Sequence, residues 1–265
     1  MRLASIASGS SGNCIYIGSD NTHIIVDTGI TNKRLEAGLG ELGIKASELG
    51  GVLITHEHSD HICGLGVFAR KHHVPIYATR GTIDEIKRMK SLGEFDKELL
   101  HVINTDEDFN IGDIRVNAFD TTHDAAMPCG YRVSSGKKSA AVVTDLGNYT
   151  SYVTNHLQGL DAMVIEANHD IRMLETGPYP YYLKKRILGD YGHLSNERSG
   201  QLLCELLHDN MKGILLGHLS KENNMAELAY ETVKLEITMG DNEYKGNDFN
   251  IEVAPRDVMS RVLEF

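Results

Sequence analysis

Between Thr55 and His61 the chain reads Thr-His-Glu-His-Ser-Asp-His, directly after the apolar run Gly51-Val52-Leu53-Ile54. His56, His58, Asp60 and His61 carry imidazole nitrogens and a carboxylate, the donors that Zn²⁺ and similar transition metals accept. In an extended chain residues two apart point to one side, so His56 and His58 present their rings together. Asp60 and His61 are adjacent and diverge, which suits them better to a second ion than to the first. The loop alone therefore predicts a two-metal site.

Further ligands are expected where other strands end, because such loops converge on one face of a sheet. His123 follows Val116-Asn117-Ala118-Phe119, and Asp145 follows Ala141-Val142-Val143-Thr144. His218 follows Ile214-Leu215-Leu216-Gly217, and Asp27 follows Ile24-Ile25-Val26. A lone His or Asp at such a place is usually a turn or capping residue. Here each one follows an apolar run, and the first loop still needs partners, so the four are read as a set.

The elements that must position these residues alternate along the chain. Short β-like runs lie at Ile15–Ile17, His23–Val26, Val52–Ile54 and Ile76–Ala78, with helical patterns at Asn32–Leu42, Gly64–His72 and Thr82–Leu92 between them. A second set of strands is expected at Ile114–Phe119, Gly130–Val133, Ala140–Thr144 and Ala162–Glu166. A helix over Asn196–Asn210 with Ser195 as its N-cap follows, then a strand at Ile214–Leu216, a helix over Met225–Thr238 and a last strand at Phe249–Val253. The two halves look alike and no Pro/Gly/Ser-rich linker divides them, so residues 1–265 are expected to form one layered α/β domain.

Charge and cysteine content narrow the function. Lys plus Arg number 26 against 37 Asp plus Glu, a formal charge of −11, which argues against a protein held on nucleic acid by a broad basic face. It leaves room for an enzyme that grips phosphate locally, because two divalent ions would bring positive charge into the cleft. The four cysteines are widely spaced with no CxxC pair, as expected of free thiols in a reducing cytoplasm. No signal peptide and no membrane-spanning segment is read, so no membrane partner is expected.

In order, Asp27, the His56-x-His58-x-Asp60-His61 run, His123, Asp145 and His218 resemble the five motifs of the metallo-β-lactamase-fold hydrolases. The resemblance implies a four-layered αββα sandwich with a dinuclear site at one edge. It further implies that His56, His58 and His123 hold one metal and Asp60, His61 and His218 the other. Asp145 would bridge them, and Asp27 would brace the loop through backbone hydrogen bonds without binding metal. The donor set suits Zn²⁺ or Mn²⁺, with Fe²⁺ also accepted.

That superfamily hosts many chemistries, so the substrate must be read elsewhere. Gly192-His193-Leu194-Ser195-Asn196 is similar to a segment of the nuclease and phosphodiesterase branch, which includes the ribonuclease Z group. Physically, a helix start bearing His and Ser suits a phosphate oxygen; the plainer reading is a cap with a packed histidine. Together with Ala7–Cys14, Glu166-Ala167-Asn168-His169-Asp170 and Tyr179–Arg186, this segment resembles the bacterial YycJ/WalJ group. The resemblance implies 5′-to-3′ exonuclease action on DNA. Ser8–Asn13 lacks the ending of a phosphate-binding P-loop and reads as a tight turn between two strands; the alternative is that its small residues let backbone N–H groups approach a phosphate. Tyr179–Arg186 interleaves aromatics and cations, and is either a surface gripping a strand or a solvated helix face.

The expected chemistry is metal-assisted phosphodiester hydrolysis. Asp60 or Asp145 would orient the attacking oxygen, and His193 would steady the developing charge or protonate the departing oxygen. Ser195, Asn196, Lys184, Lys185, Arg186 and His169 are the expected substrate contacts. The rival expectations are a thioesterase of the glyoxalase II kind, which shares the THxHxDH run, and a metal-stabilised regulatory module without catalysis.

Overall fold

A computed structural model describing residues 1–265 has two seven-stranded sheets. The first half contributes β1 (Arg2–Ala7), β2 (Cys14–Gly18), β3 (His23–Val26), α1 (Asn32–Glu41), β4 (Leu49–Leu53), α2 (Ser59–Ile62), α3 (Leu65–His72), β5 (Ile76–Thr79), α4 (Arg80–Arg88) and β6 (Leu100–Ile103). The second contributes β7 (Asp108–Ile111), β8 (Ile114–Asp120), β9 (Cys129–Ser135), β10 (Lys138–Val143), α5 (Ser151–Leu157), β11 (Ala162–Glu166), α6 (Ile171–Thr176), α7 (Tyr181–Leu188) and α8 (Asn196–Leu206). It ends with β12 (Gly213–Gly217), α9 (Ala226–Met239), β13 (Ile251–Val253) and β14 (Leu263–Glu264).

Strand order is β14-β1-β2-β3-β4-β5-β6 in one sheet and β13-β12-β11-β10-β9-β8-β7 in the other. Each half runs the same way. An antiparallel meander (β1 to β3, β7 to β10) is followed by parallel strands reached through helical crossovers (β3 to β6, β10 to β13). The last strand, β14, returns to pair with β1, with Leu3 opposite Leu263.

Alternation along the strands makes the four layers. Leu3, Ile15, Ile17, Ile24 and Val26 meet Val116, Val133, Ala140, Val142, Val164 and Leu215 in one core between the sheets. The intervening Ala4, Tyr16 and Ile25 face a second core with Leu35, Leu39, Leu65 and Phe68 of α1 and α3. Ala141, Val143, Met163, Ile165 and Ile214 face a third with residues of α5, α8 and α9. Strands buried on both faces read as unbroken apolar runs, which is why they were visible in the sequence.

Two expected helices end differently. The expected helix over Thr82–Leu92 starts earlier, at Arg80, and breaks at Met89, whose extended backbone separates it from a 3₁₀ turn over Lys90–Leu92. The helix at Asn196 stops at Leu206 rather than Asn210, because Leu207 turns extended. The Tyr179–Arg186 run becomes α7, with Tyr181 and Tyr182 exposed to solvent. No helix is long and apolar enough to cross a membrane.

Candidate metal centre

The parallel strands point their carboxyl ends to one edge, where crevices of α/β sheets bind ligands. Asp27 follows β3, the His56–His61 loop follows β4, and His123 follows β8. Asp145 follows β10, Glu166 closes β11, and His218 follows β12. Asp27, Asp145 and His218 leave their strands with φ of 64°, 57° and 56°. This left-handed conformation suits Asp, and to a lesser degree His, better than most side chains. It turns the chain sharply enough to aim each side chain across the sheet edge.

Donor atoms fall into overlapping groups, each spanning at most 4.8 Å: His56, His58 and His123; His56, His61 and Asp145; Asp60, His61 and His218; and Asp145, Glu166, His193 and His218. Asp145 lies between them, with Oδ2 3.1 Å from His61 Nε2 and Oδ1 3.6 Å from both His123 Nε2 and His218 Nε2. Asp60 Oδ2 lies 3.3 Å from His218 Nε2 and 3.6 Å from His61 Nε2.

The rings are held from behind. His61 Nδ1–H donates to Asp27 Oδ2 (2.7 Å), His123 Nδ1–H to Gly192 O (3.0 Å) and His218 Nδ1–H to Glu166 Oε1 (2.9 Å). Thr55 Oγ1 donates to Asp27 Oδ2 (2.9 Å) and so accepts from His56 Nδ1–H (3.0 Å). Each bond fixes the proton on Nδ1 and turns Nε2 into the centre, as outer partners of metal-ligating histidines do. Asp27 also accepts from Thr55 N (2.9 Å), so it grips the loop through both backbone and side chains.

Two buried atoms test whether the donors fit a metal. His56 Nε2 and Asp145 Oδ2 are enclosed and make no hydrogen bond, although His61 Nε2 lies 3.1 Å from Asp145 Oδ2. Orphaned polar atoms at the meeting point of imidazole and carboxylate donors are what a divalent cation would satisfy. The residues fit one.

Charge divides the centre. Burial pushes the His56 and His123 imidazoles down, so both are neutral. Burial also opposes charge on His61 and His218, but the carboxylates around them win. Asp145 and Asp27 hold His61 well above the ordinary imidazole range, and Asp145, Asp60 and Glu166 push His218 up to about 10. Burial works against the Asp145 carboxylate as well, yet His218 and His61 keep it well below the usual range.

Glu166 carries no role in the sequence reading, yet it organises the back of the site. Its fully buried carboxylate accepts from His193 Nδ1–H (2.8 Å), His218 Nδ1–H, Leu146 N (2.9 Å) and Leu194 N (3.1 Å). Burial raises its pKa, but His193 and His218 outweigh it and bring the value down to about 2. Its sequence signal matched that of Asp145, an acid closing an apolar strand, but it was read as the end of a strand. Asn13 was missed too. Its Nδ2 donates to Asp60 O (3.3 Å) and lies 3.1 Å from His61 Nε2, while its Oδ1 accepts from Gly9 N (2.9 Å). The Ser8–Asn13 turn is thus a brace on the metal loop, and Gly29 lets the two approach, since a Cβ there would lie 1.6 Å from Asp60 O.

The expected substrate contacts separate. Arg186, Tyr179, Leu183 and His193 line a cleft of about 240 Å³ over Asp60, Asp145 and His218. Arg186 forms a two-pronged ion pair with Asp124 at the rim of that cleft. Lys184 Nζ donates to Glu175 O (2.7 Å), and Lys185 lies over the Tyr181 ring. Ser195 caps α8 by accepting from Arg198 N (3.2 Å). Asn196 must be corrected as a substrate contact. It is wholly buried, with its amide paired to that of Asn224 (3.0 and 2.8 Å), so its side chain presents no surface to a ligand. His169 is buried beside the cleft, and burial lowers its pKa to about 4.

Comparison with known proteins places the chain. Residues 22–211 match the family model of the β-lactamase superfamily domain. The chain is 38% identical over 259 residues to exodeoxyribonuclease WalJ of Streptococcus pneumoniae serotype 2 (strain D39), covering 98% of this chain and 96% of that protein. It is 37% identical over 233 residues to exodeoxyribonuclease YycJ of Bacillus anthracis, covering 88% of each. Among solved structures, the metallo-β-lactamase-fold protein YhfI from Bacillus subtilis superposes with a TM-score of 0.72 at 16% identity, over 98% of both chains. The chain belongs to the metallo-β-lactamase superfamily, within its YycJ/WalJ group.

Proposed function

We infer that this protein is a metal-dependent phosphodiesterase, an exodeoxyribonuclease that degrades DNA from the 5′ end. The donor cluster joined at Asp145, opening into a cleft edged by His193 and Arg186, is the observation that carries the reading. Two near full-length relatives bearing the name exodeoxyribonuclease support DNA as the substrate. They also favour this chemistry over the thioesterase and the non-catalytic module.

His56, His58 and His123 would hold one ion, and Asp60, His61 and His218 the other, with Asp145 between. Zn²⁺ or Mn²⁺ suits these donors, with Fe²⁺ a third candidate. Such ions, when bound, supply positive charge to a phosphate and acidify water near neutral pH. The chain's own residues then set direction. Asp60 and Asp145 orient the attacking oxygen by accepting its hydrogen bonds. His193, tied to Glu166 through Nδ1, keeps Nε2 free of other partners, and when it carries a second proton there it gives that proton to the departing sugar oxygen. Arg186, at the cleft wall, steadies a phosphate of the bound strand, with Lys184 and Lys185 outside it.

Hydrolysis of end-labelled DNA by the metal-loaded chain tests this. His58→Ala is expected to abolish activity, and His193→Ala to lower kcat by about 100-fold while metal content stays intact. Full activity in His58→Ala would overturn the dinuclear reading. Hydrolysis of a glutathione thioester in place of DNA would restore the thioesterase.

A further inference from the structure

Beside the catalytic cleft, and sharing His193 with it, lies a second hollow of about 310 Å³. A strand end lying across that ring can therefore reach both. Its walls are the start of α8, His169, Asn148, and the apolar Ile171 and Leu188. None of this is used by the hydrolytic centre.

Two features of the hollow ask for a ligand. His169 is about 1% exposed, and its Nε2 has no partner. Its proton sits on Nδ1, facing Asn168 Oδ1 at 3.3 Å; that amide cannot turn, because Asn168 Nδ2 donates to His218 O at 2.9 Å. A buried lone pair is therefore offered with no donor in the chain, a costly state unless a bound group supplies the hydrogen. Arg198 is the second feature. In a chain with 37 acids it makes no ion pair; its Nη2 donates to Asn148 Oδ1 (2.7 Å) and its guanidinium lies over the Tyr149 ring. The single carboxylate on the rim, Asp190, accepts from Asn148 Nδ2 (3.2 Å). The α8 N-terminus, opening at Ser195, adds its partial positive charge.

A group that is anionic and also carries a hydroxyl proton satisfies both. A phosphate monoester does, since its second proton dissociates near pH 6; an internal phosphodiester has no such proton. We propose that this hollow is the seat of the 5′-terminal phosphate of the DNA strand, held by Arg198 and recognised as a monoester by the bare Nε2 of His169. The assignment rests on the exonuclease reading. It gives the enzyme a physical means of telling a strand end from its interior: only the end presents the proton that His169 accepts. Ile171 and Leu188 would then lie against the terminal sugar or base.

The test measures binding and cleavage separately. The full metal-loaded chain is titrated with a 3′-labelled ten-nucleotide single strand carrying hydrolysis-resistant phosphorothioate linkages, either 5′-phosphorylated or 5′-hydroxyl. The phosphorylated strand is expected to bind at least tenfold more tightly. Arg198→Gln, an exposed site whose replacement leaves the core untouched, should cut that preference below threefold without changing affinity for the 5′-hydroxyl strand. His169→Asn should lower it independently, and Arg198→Lys should restore part of it. Equal binding of both strands by the wild type overturns the proposal, as does a preference that survives Arg198→Gln. Cleavage of ordinary DNA is scored in parallel. A 5′-phosphate preference without any cleavage would sink the exonuclease reading and leave the terminal-phosphate seat standing.

Discussion

Replacing Glu166 by glutamine keeps the side chain's shape but removes its charge and turns one oxygen into a donor. Glu166 accepts four hydrogen bonds, two from the imidazoles of His193 and His218 and two from the backbone at Leu146 and Leu194. The backbone N–H groups cannot change, so the carboxamide oxygen is expected to turn to them and its NH₂ to face the rings. Those two backbone bonds fall from charge-assisted to neutral, a loss of about 1 kcal/mol each, or about 2 kcal/mol of stability. Losing the carboxylate removes part of the charge that holds His218 protonated, and once neutral the rings can adapt by moving their proton from Nδ1 to Nε2. That spares stability and spoils function, because Nε2 is the nitrogen of His218 that faces Asp60 and Asp145. Metal affinity is expected to fall 10- to 100-fold. Urea unfolding of the metal-free chain gives the first number, competitive metal titration the second, and ¹⁵N shifts of the histidine rings report the tautomer. A variant that binds metal like the wild type, with His218 still protonated at Nδ1, would refute the reasoning.

Three other outcomes follow from the same geometry. His61 and His218 have raised pKa values, with His218 at about 10, so both are protonated in the metal-free chain at neutral pH. Metal uptake must expel those protons, and its apparent affinity should rise as pH rises toward 10 and fall as pH drops; calorimetry in buffers of different ionisation enthalpy should show proton release, and its absence would count against the assignment. Asp27→Ala leaves Thr55 N without an acceptor, so unfolding free energy should drop by about 1–3 kcal/mol, with Asp27→Asn milder. Gly29→Ala drives a methyl group into Asp60 O, so the chain should keep its circular dichroism while metal content falls; unchanged metal content would contradict the close packing of these two loops.

The centre was legible because its residues follow strands buried on both faces. Met163 and Ile165 pack toward α8 and Val164 toward the other sheet, so no polar residue interrupts the run until Glu166. The edges were harder to read. In β6, His101 and Val102 are exposed, and β14 has only two residues, so neither leaves an apolar run long enough to notice. Glu166 and Asn13 went unread for another reason: their partners lie 27 and 52 residues away for Glu166 and 47 and 48 for Asn13, so even an acid closing an apolar strand shows nothing of the histidines it holds. Asn196 is the converse case. A polar residue beside Ser195 at a helix start looks available to substrate, but it is spent on Asn224, 28 residues on.

The left-handed backbone at Asp27, Asp145 and His218 bears on how the centre can be dissected at all. An alanine at any of them removes a ligand or brace and at the same time loses the short polar side chain that tolerates this backbone, at a place where a Cβ costs about 1–2 kcal/mol relative to glycine. A scan by alanine would mix these two losses and overstate the chemical one. Asparagine tolerates the same backbone, so Asp145→Asn and His218→Asn isolate the donor atom, while glycine at the same sites relieves the turn. The difference between the glycine and alanine variants would measure the conformational tension that the fold holds at the edge of its sheets.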